Sequence, residues 1–304
     1  MNKNYLYSTA LLLLMSCSQD SLTGENEKSG VAINVTTAVT EGEGTRAATH
    51  VQEAQFDAGE SFYVYFADNK ATVANAKFTT SDANGSTVLA ASSTQPFFAN
   101  GENSVTLHAY YPETVTESST SFSVLDDQIS DANFKLSDLM YATKEISRSG
   151  VSVTAPLLFT HKLAKIVVVV QAAAGISNIT NVSIINGYRT IDITNGTACA
   201  LGTGLSDAIT VSSPITLYDD ATGTTSVSSA AMLPPQAVSG NFIKITTASD
   251  GDAIYNVAKT FVSGHSYTVV LNLSKAGLAR TLGVTSDWGN PEEVYTDPAP
   301  TLLM

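Results

Sequence analysis

The residues best equipped for chemistry are the four histidines, His50, His108, His161 and His265. None has a metal-ligating neighbour at i+2 or i+4, the spacing that turns two side chains toward one ion. His161 lies in an apolar run and shares a strand face with Phe159 and Leu163, the setting of a hydrogen-bonded packing residue. The nucleophile and zinc signatures G-x-S-x-G and H-E-x-x-H do not occur. Gly42-Glu43-Gly44-Thr45-Arg46-Ala47 has the spacing G-x-G-x-x-A, but no helix follows it and a glutamate stands where phosphate would sit. Gly202-Thr203-Gly204 fails in the same way. Asp219-Asp220 and Asp250-Gly251-Asp252 lack the full calcium loop and read as turns. A carboxylate pair for glycoside hydrolysis is defined by a separation in space, and nothing in the sequence singles one out. The sequence therefore nominates no catalytic residue, no metal ligand and no cofactor site, and the chain is not read as an enzyme.

The chemistry it does suggest is done to the chain. Lys3 supplies a short basic region and Leu6 to Met15 an apolar one too short to span a bilayer. Leu14-Met15-Ser16-Cys17 then has the form of a bacterial lipoprotein signal, with residues 1–16 removed and lipid carried on Cys17. A plain signal peptide with an incidental cysteine is the other reading. Cys199 has no partner, so neither an intrachain disulfide nor a cysteine metal site is expected. Asp20-Ser21-Leu22 fits either a short O-glycosylation signal or a tether.

A second such feature begins at Val31. Val31, Ile33, Val35, Thr37 and Val39 alternate with Ala32, Asn34, Thr36, Ala38 and Thr40, the period of a strand with one buried face. The run dissolves into the acidic loop Glu41 to Thr45 and reaches Arg46, the first of only four arginines. Either this is a strand that can be cut off after Arg46 and replaced by a partner's strand, or it is an ordinary first strand with an exposed loop. If buried, Val31, Ile33, Val35 and Val39 contribute about 1.5–3 kcal/mol each, so about 6–12 kcal/mol gross. A whole protein is stable by only about 5–15 kcal/mol.

The elements that would hold such a strand are β-strands. The 304 residues are 43% hydrophobic and 14% charged, enough to build cores, and Ala, Ser, Thr and Val favour strands. A net charge of −13 argues against nucleic acid as a partner, because nothing could neutralise a row of phosphates. Asn84-Gly85, Asn100-Gly101, Asn186-Gly187, Asn195-Gly196 and Asp250-Gly251 supply hairpin turns. Between them lie short strand-like runs, the pattern of a sandwich rather than alternating α/β units. Leu157 to Gln171 is apolar on both faces, as a covered central strand would be. A domain boundary is placed near Ser152, after the polar link Lys144 to Gly150. Helical turns are expected only around Asp138 to Tyr141 and Ser226 to Met232.

Several runs come in a characteristic order. Cys17, the strand ending at Thr45-Arg46-Ala47, SFYVYF (61–66), VTLHAYYPE (105–113) and SDLMYA (137–142) are succeeded by LLFTHKLAKIVVVV (157–170). Leu233-Pro234-Pro235-Gln236, HSYTVVLNLSKAGL (265–278) and VTSDWG (284–289) complete the set. Over nearly the whole chain this resembles the fimbrillin-like family, the type V pilins of Bacteroides-type bacteria. The resemblance implies an all-β chain with two tandem Greek-key, transthyretin-like sandwich domains, at 47–151 and 152–304. Residues 17–46 would form the lipidated tether and removable first strand. It further implies an outer-membrane lipoprotein precursor, an arginine-specific protease cutting between Arg46 and Ala47, and a fimbrium at the cell surface that supports adhesion. Its partners would be other pilin subunits, whose C-terminal strand fills the vacated groove; no cofactor is implied. In this chain Leu282, Val284, Ser286 and Trp288 alternate as a donor strand would. Pro291, Pro298 and Pro300 interrupt the tail beyond Trp288, ahead of the apolar Leu302 and Leu303. Stalk, tip and anchor roles all stay open; the alternative is an uncut, lipid-anchored surface protein, either a pilus anchor or an adhesin that binds glycan or host protein.

Overall fold

The computed structural model describes residues 30–39, 56–81, 87–193, 201–205, 215–275, 277–287 and 290–295, with backbone alone for 201–205 and from 277 onward. The first part of the chain forms β1 (Ala32–Val39), β2 (Ser61–Phe66), β3 (Asn75–Thr79), β4 (Ser104–Tyr111), β5 (Ser121–Ser123), helix α1 (Asp131–Leu136), β6 (Met140–Ser147) and β7 (Ser152–His161). The rest forms β8 (Ala164–Ala172), β9 (Ile179–Ile184), β10 (Thr190–Ile193), β11 (Leu201–Leu205), β12 (Ile215–Thr224) and β13 (Ser226–Leu233). It ends with β14 (Gln236–Thr247), β15 (Asp252–Phe261), β16 (Ser266–Ser274), β17 (Gly277–Asp287) and β18 (Asn290–Tyr295). The chain is all-β, as its β-branched composition leads one to expect.

One sheet has the order β1-β7-β6-β4-β2-β3. Two others, β12-β9-β14-β15 and β13-β8-β16-β17-β18, are built from later strands, and a small sheet β11-β10-β5 ties the segment around Phe122 to β10. Buried apolar side chains gather into two clusters. The first joins β1 to Phe62, Phe78, Leu107, Leu157 and Phe159 on one face of the first sheet. The second takes Tyr65, Tyr110 and Tyr141 from that sheet's other face, together with Phe134, and continues through β8, β9, β14 and β16.

The run Leu157 to Gln171 divides into β7 and β8 at Lys162-Leu163, so β7 stays with the first sheet and the expected boundary near Ser152 falls at its start. The break is held from both sides. Lys162 N donates to Leu139 O at 2.8 Å, and Leu163 O accepts from Gly264 N at 2.8 Å. His161 Nδ1 lies 2.9 Å from Asp138 Oδ1, both buried, which makes it a paired packing residue. Beyond the break β8 is the covered central strand its sequence suggests, between β13 and parallel β16, with Ala164, Ile166, Val168 and Val170 fully buried.

Two local expectations are corrected. The helix lies just upstream of Asp138, where Ser130 caps it by accepting from Asn133 N and Asp131 and Lys135 suit its two ends. Ser226 to Met232 is no turn: all of β13 pairs residue by residue with β8, from Ser226 with Gln171 to Leu233 with Ala164. Asp219-Asp220 likewise falls inside β12, whereas Asp250-Gly251 is the expected turn, with Gly251 at φ +86°.

β13 is an edge strand of its sheet, and the outward backbone groups of Met232 are met by one buried side chain. Gln128 Oε1 accepts from Met232 N at 2.7 Å, and its Nε2 donates to Met232 O and Leu125 O, both at 3.1 Å. Truncating it would strand buried backbone groups at about 1–3 kcal/mol each. Gln128→Ala is expected to destabilise the chain by about 2–4 kcal/mol, read as a lower urea midpoint at unchanged slope.

Candidate functional site

β1 is built almost wholly of β-branched residues and alanine, and its alternation is realised. Val31, Ile33, Val35, Thr37 and Val39 are 6%, 0%, 0%, 4% and 3% exposed, while Ala32, Asn34 and Thr36 are half-buried and Ala38 is exposed. The predicted strand residues thus form one inward row, joined by a threonine.

Both edges of β1 are bonded. On one side it runs parallel to β7 in unbroken register, from Ala32 opposite Ser152 to Val39 opposite Phe159. The end of this ladder is extended by Ala32 N donating to Val151 O at 3.2 Å. On the other side lies an irregular wall, residues 89–98. Val35 and Leu89 exchange two bonds, N to O, at 3.1 and 2.8 Å. Ile33 N donates to Pro96 O at 3.0 Å, and Phe98 N donates to Val31 O at 3.1 Å. The side chain of Gln95 adds a further rung, its Nε2 donating to Ile33 O at 2.8 Å. β1 therefore lies in a slot, one strand wide, between β7 and this wall.

Beneath the slot is an aromatic block supplied by residues downstream of Arg46. Phe56 packs on Phe62, Tyr111 and Phe159 with ring centroids 5.6, 5.2 and 4.9 Å apart, and Phe62 meets Phe159 at 5.2 Å and Phe78 at 6.0 Å. Edge-to-face and offset contacts at these distances add to simple burial. Phe56 is followed by Asp57, whose carboxylate pairs with Lys135 on α1. Lys135 also reaches Glu60 at 3.5 Å; burial opposes its charge, but the two carboxylates outweigh it and hold the ammonium pKa above its ordinary value.

The other sequence-predicted positions are placed less completely. Cys17, Arg46, Ala47, Trp288, Leu302 and Leu303 lie outside the described residues. Leu282 and Val284 lie in β17, Leu282 opposite Val269 and Tyr295 and Val284 opposite Tyr267, so in this chain that strand sits between β16 and β18. The wall at 89–98 escaped the sequence reading because Thr94-Gln95-Pro96 looks like a plain loop. Its one signal was the apolar pair Phe97-Phe98 directly after a proline. Among the residues whose side chains are described no tyrosine or phenylalanine is exposed, and among the described residues no group of three or more His, Cys, Asp or Glu is placed to hold a metal.

A charge at Val35, which is fully buried, would be placed among the apolar side chains of the first cluster. Val35→Asp is expected to destabilise the uncut chain by about 3–5 kcal/mol. Circular dichroism melting checks this, and an unchanged midpoint would mean that the Val35 side chain is not buried.

Comparison with known proteins gives consistent matches. The Fimbrillin-like family model matches residues 45–288. A protein of Bacteroides uniformis, provisionally named fimbrium subunit Fim1C, is 26% identical over 294 residues, covering 92% of each chain. The fold is similar to that of a provisionally assigned cell adhesion protein from the same species, with a TM-score of 0.60 and 23% identity, covering 86% of this chain and 99% of the other. A crystal structure of a similarly assigned protein from Bacteroides ovatus gives a TM-score of 0.61 at 15% identity, covering 90% and 99%.

Proposed function

The chain belongs to the fimbrillin-like family, and from that premise we propose that it is a structural fimbrial subunit assembled by replacement of β1. The observation that carries this is the slot: β1 is seated by its inward row and by bonds on both edges, yet no hairpin ties it to β7. The residues that bury it all follow Arg46.

In this account the precursor is exported, lipidated on Cys17 and held at the outer membrane. An arginine-specific protease cuts between Arg46 and Ala47, and the segment carrying Val31, Ile33, Val35 and Val39 leaves. A strand from another pilin subunit then fills the slot, and the fimbrium grows at the cell surface and supports adhesion. Leu282, Val284, Trp288, Leu302 and Leu303 remain the candidate donor residues toward the next subunit. The work of the protein is mechanical and adhesive rather than catalytic. An emptied slot exposes an unpaired strand edge over apolar side chains, which drives either refilling or aggregation.

Brief trypsin treatment of the soluble chain from Ser18 onward, then mass spectrometry and gel filtration, tests the scheme. An early cut after Arg46 and then release of the segment carrying β1 in mild guanidinium are expected, and Arg46→Ala should abolish both while leaving the melting temperature unchanged. Release of that segment from the variant would overturn the cleavage step, and resistance of the unmodified chain at Arg46 would favour an uncut, lipid-anchored protein.

A further inference from the structure

The slot does more than accept any apolar strand, because one end of it is too narrow for a side chain. Gly30 directly precedes Val31, the first residue of the inward row, and a Cβ there would stand 2.8 Å from Phe97 Cβ and 3.2 Å from its Cγ and Cδ1. Phe97 has little room to retreat. Its N–H donates to Thr72 Oγ1 at 3.0 Å and its carbonyl accepts from Thr72 N at 2.8 Å. The next residue, Phe98, is bonded to β1 itself through Val31 O. Gln95 Nε2 adds a side-chain bond to the carbonyl of Ile33, two residues along from Val31. The amides of Ile33 and Val35 serve the wall, and that of Ala32 serves the β7 side. A proline of either parity therefore removes a bond from one edge.

These features define what the slot can take: a strand parallel to β7, with glycine just ahead of apolar residues at +1, +3 and +5. Residues 277–304 do not offer it. Gly277 is followed by Leu278 but then Arg280, Gly283 by Val284 but then Ser286, and Gly289 by Asn290. Pro298 and Pro300, two apart, would both fall on the same edge and remove two bonds from it. We propose that the β1 slot selects its occupant through the Phe97 wall, and that this occupant is a glycine-led strand of a different subunit rather than residues 277–304 of a second copy. The inference rests on the strand-replacement reading above and names the partner that reading requires.

The test uses the chain from Ser18 onward, cut after Arg46, in mild guanidinium so that β1 can leave. It is offered fluorescein-labelled decapeptides: residues 30–39, the same peptide with Gly30→Val, and residues 283–292. The first should be taken up, and the other two at least tenfold less. Equal uptake of the Gly30→Val peptide would overturn selection by Phe97, and equal uptake of 283–292 would overturn the exclusion of a second copy. In either case the strand-replacement reading would stand. Failure of the 30–39 peptide itself to enter would contradict that reading, and the proposal with it.

Discussion

Backbone bonding on both edges of β1 is the constraint on which the first sheet depends. β7 holds one edge in parallel register, residues 89–98 hold the other, and five side chains cover the apolar cluster below. Without β1, the facing groups of Leu89, Pro96, Phe98 and β7 lose their partners together, and Leu157 and Phe159 lose their cover. Buried polar groups left unpaired cost about 1–3 kcal/mol each. The slot is therefore stable only when filled. Parallel pairing gives this a further consequence: a hairpin partner arrives with its neighbour, whereas a parallel strand can be supplied by a remote part of the chain or by another molecule.

What survives loss of the strand matters as much as what is lost. The aromatic block of Phe56, Phe62, Phe78 and Phe159 lies downstream of Arg46. So do the His161–Asp138 pair and the bond from Gly264 N to Leu163 O at the break between β7 and β8. Phe56 and the Asp57–Lys135 pair pin the chain about ten residues past the proposed cut. The remaining body thus keeps its own core and junction, and the missing part is confined to one strand-shaped slot. That is the arrangement a subunit needs if it is to wait, open on one side, for a partner.

Much of this was legible in the residues. The alternation from Val31 to Val39 names the buried row, and the β-branched composition names the fold class. The run Leu157 to Gln171 was visible as apolar on both faces, but its break at Lys162 was not, because the partners that fix it, Leu139 and Gly264, are remote in sequence. α1 was missed for its brevity, six residues with one buried side chain, Phe134. Ser226 to Met232 carries small residues that say little locally; pairing with β8 and the side chain of Gln128 decide its conformation. The wall at 89–98 and the steric demand of Phe97 on Gly30 are products of tertiary approach, and a single sequence carries no periodic signal for them.

The central claim is that β1 must leave before subunits can join. Asn34 and Thr154 face each other across the β1–β7 ladder, so Asn34→Cys with Thr154→Cys, in a Cys199→Ser background, would tether the strand by a reducible bond. After cutting at Arg46 and adding the fluorescein-labelled peptide of residues 30–39 in mild guanidinium, gel filtration should show no label on the protein while the disulfide is intact and label on it once reductant is added. Equal labelling of the oxidised protein would show that a strand joins with β1 still in place, and would contradict the account.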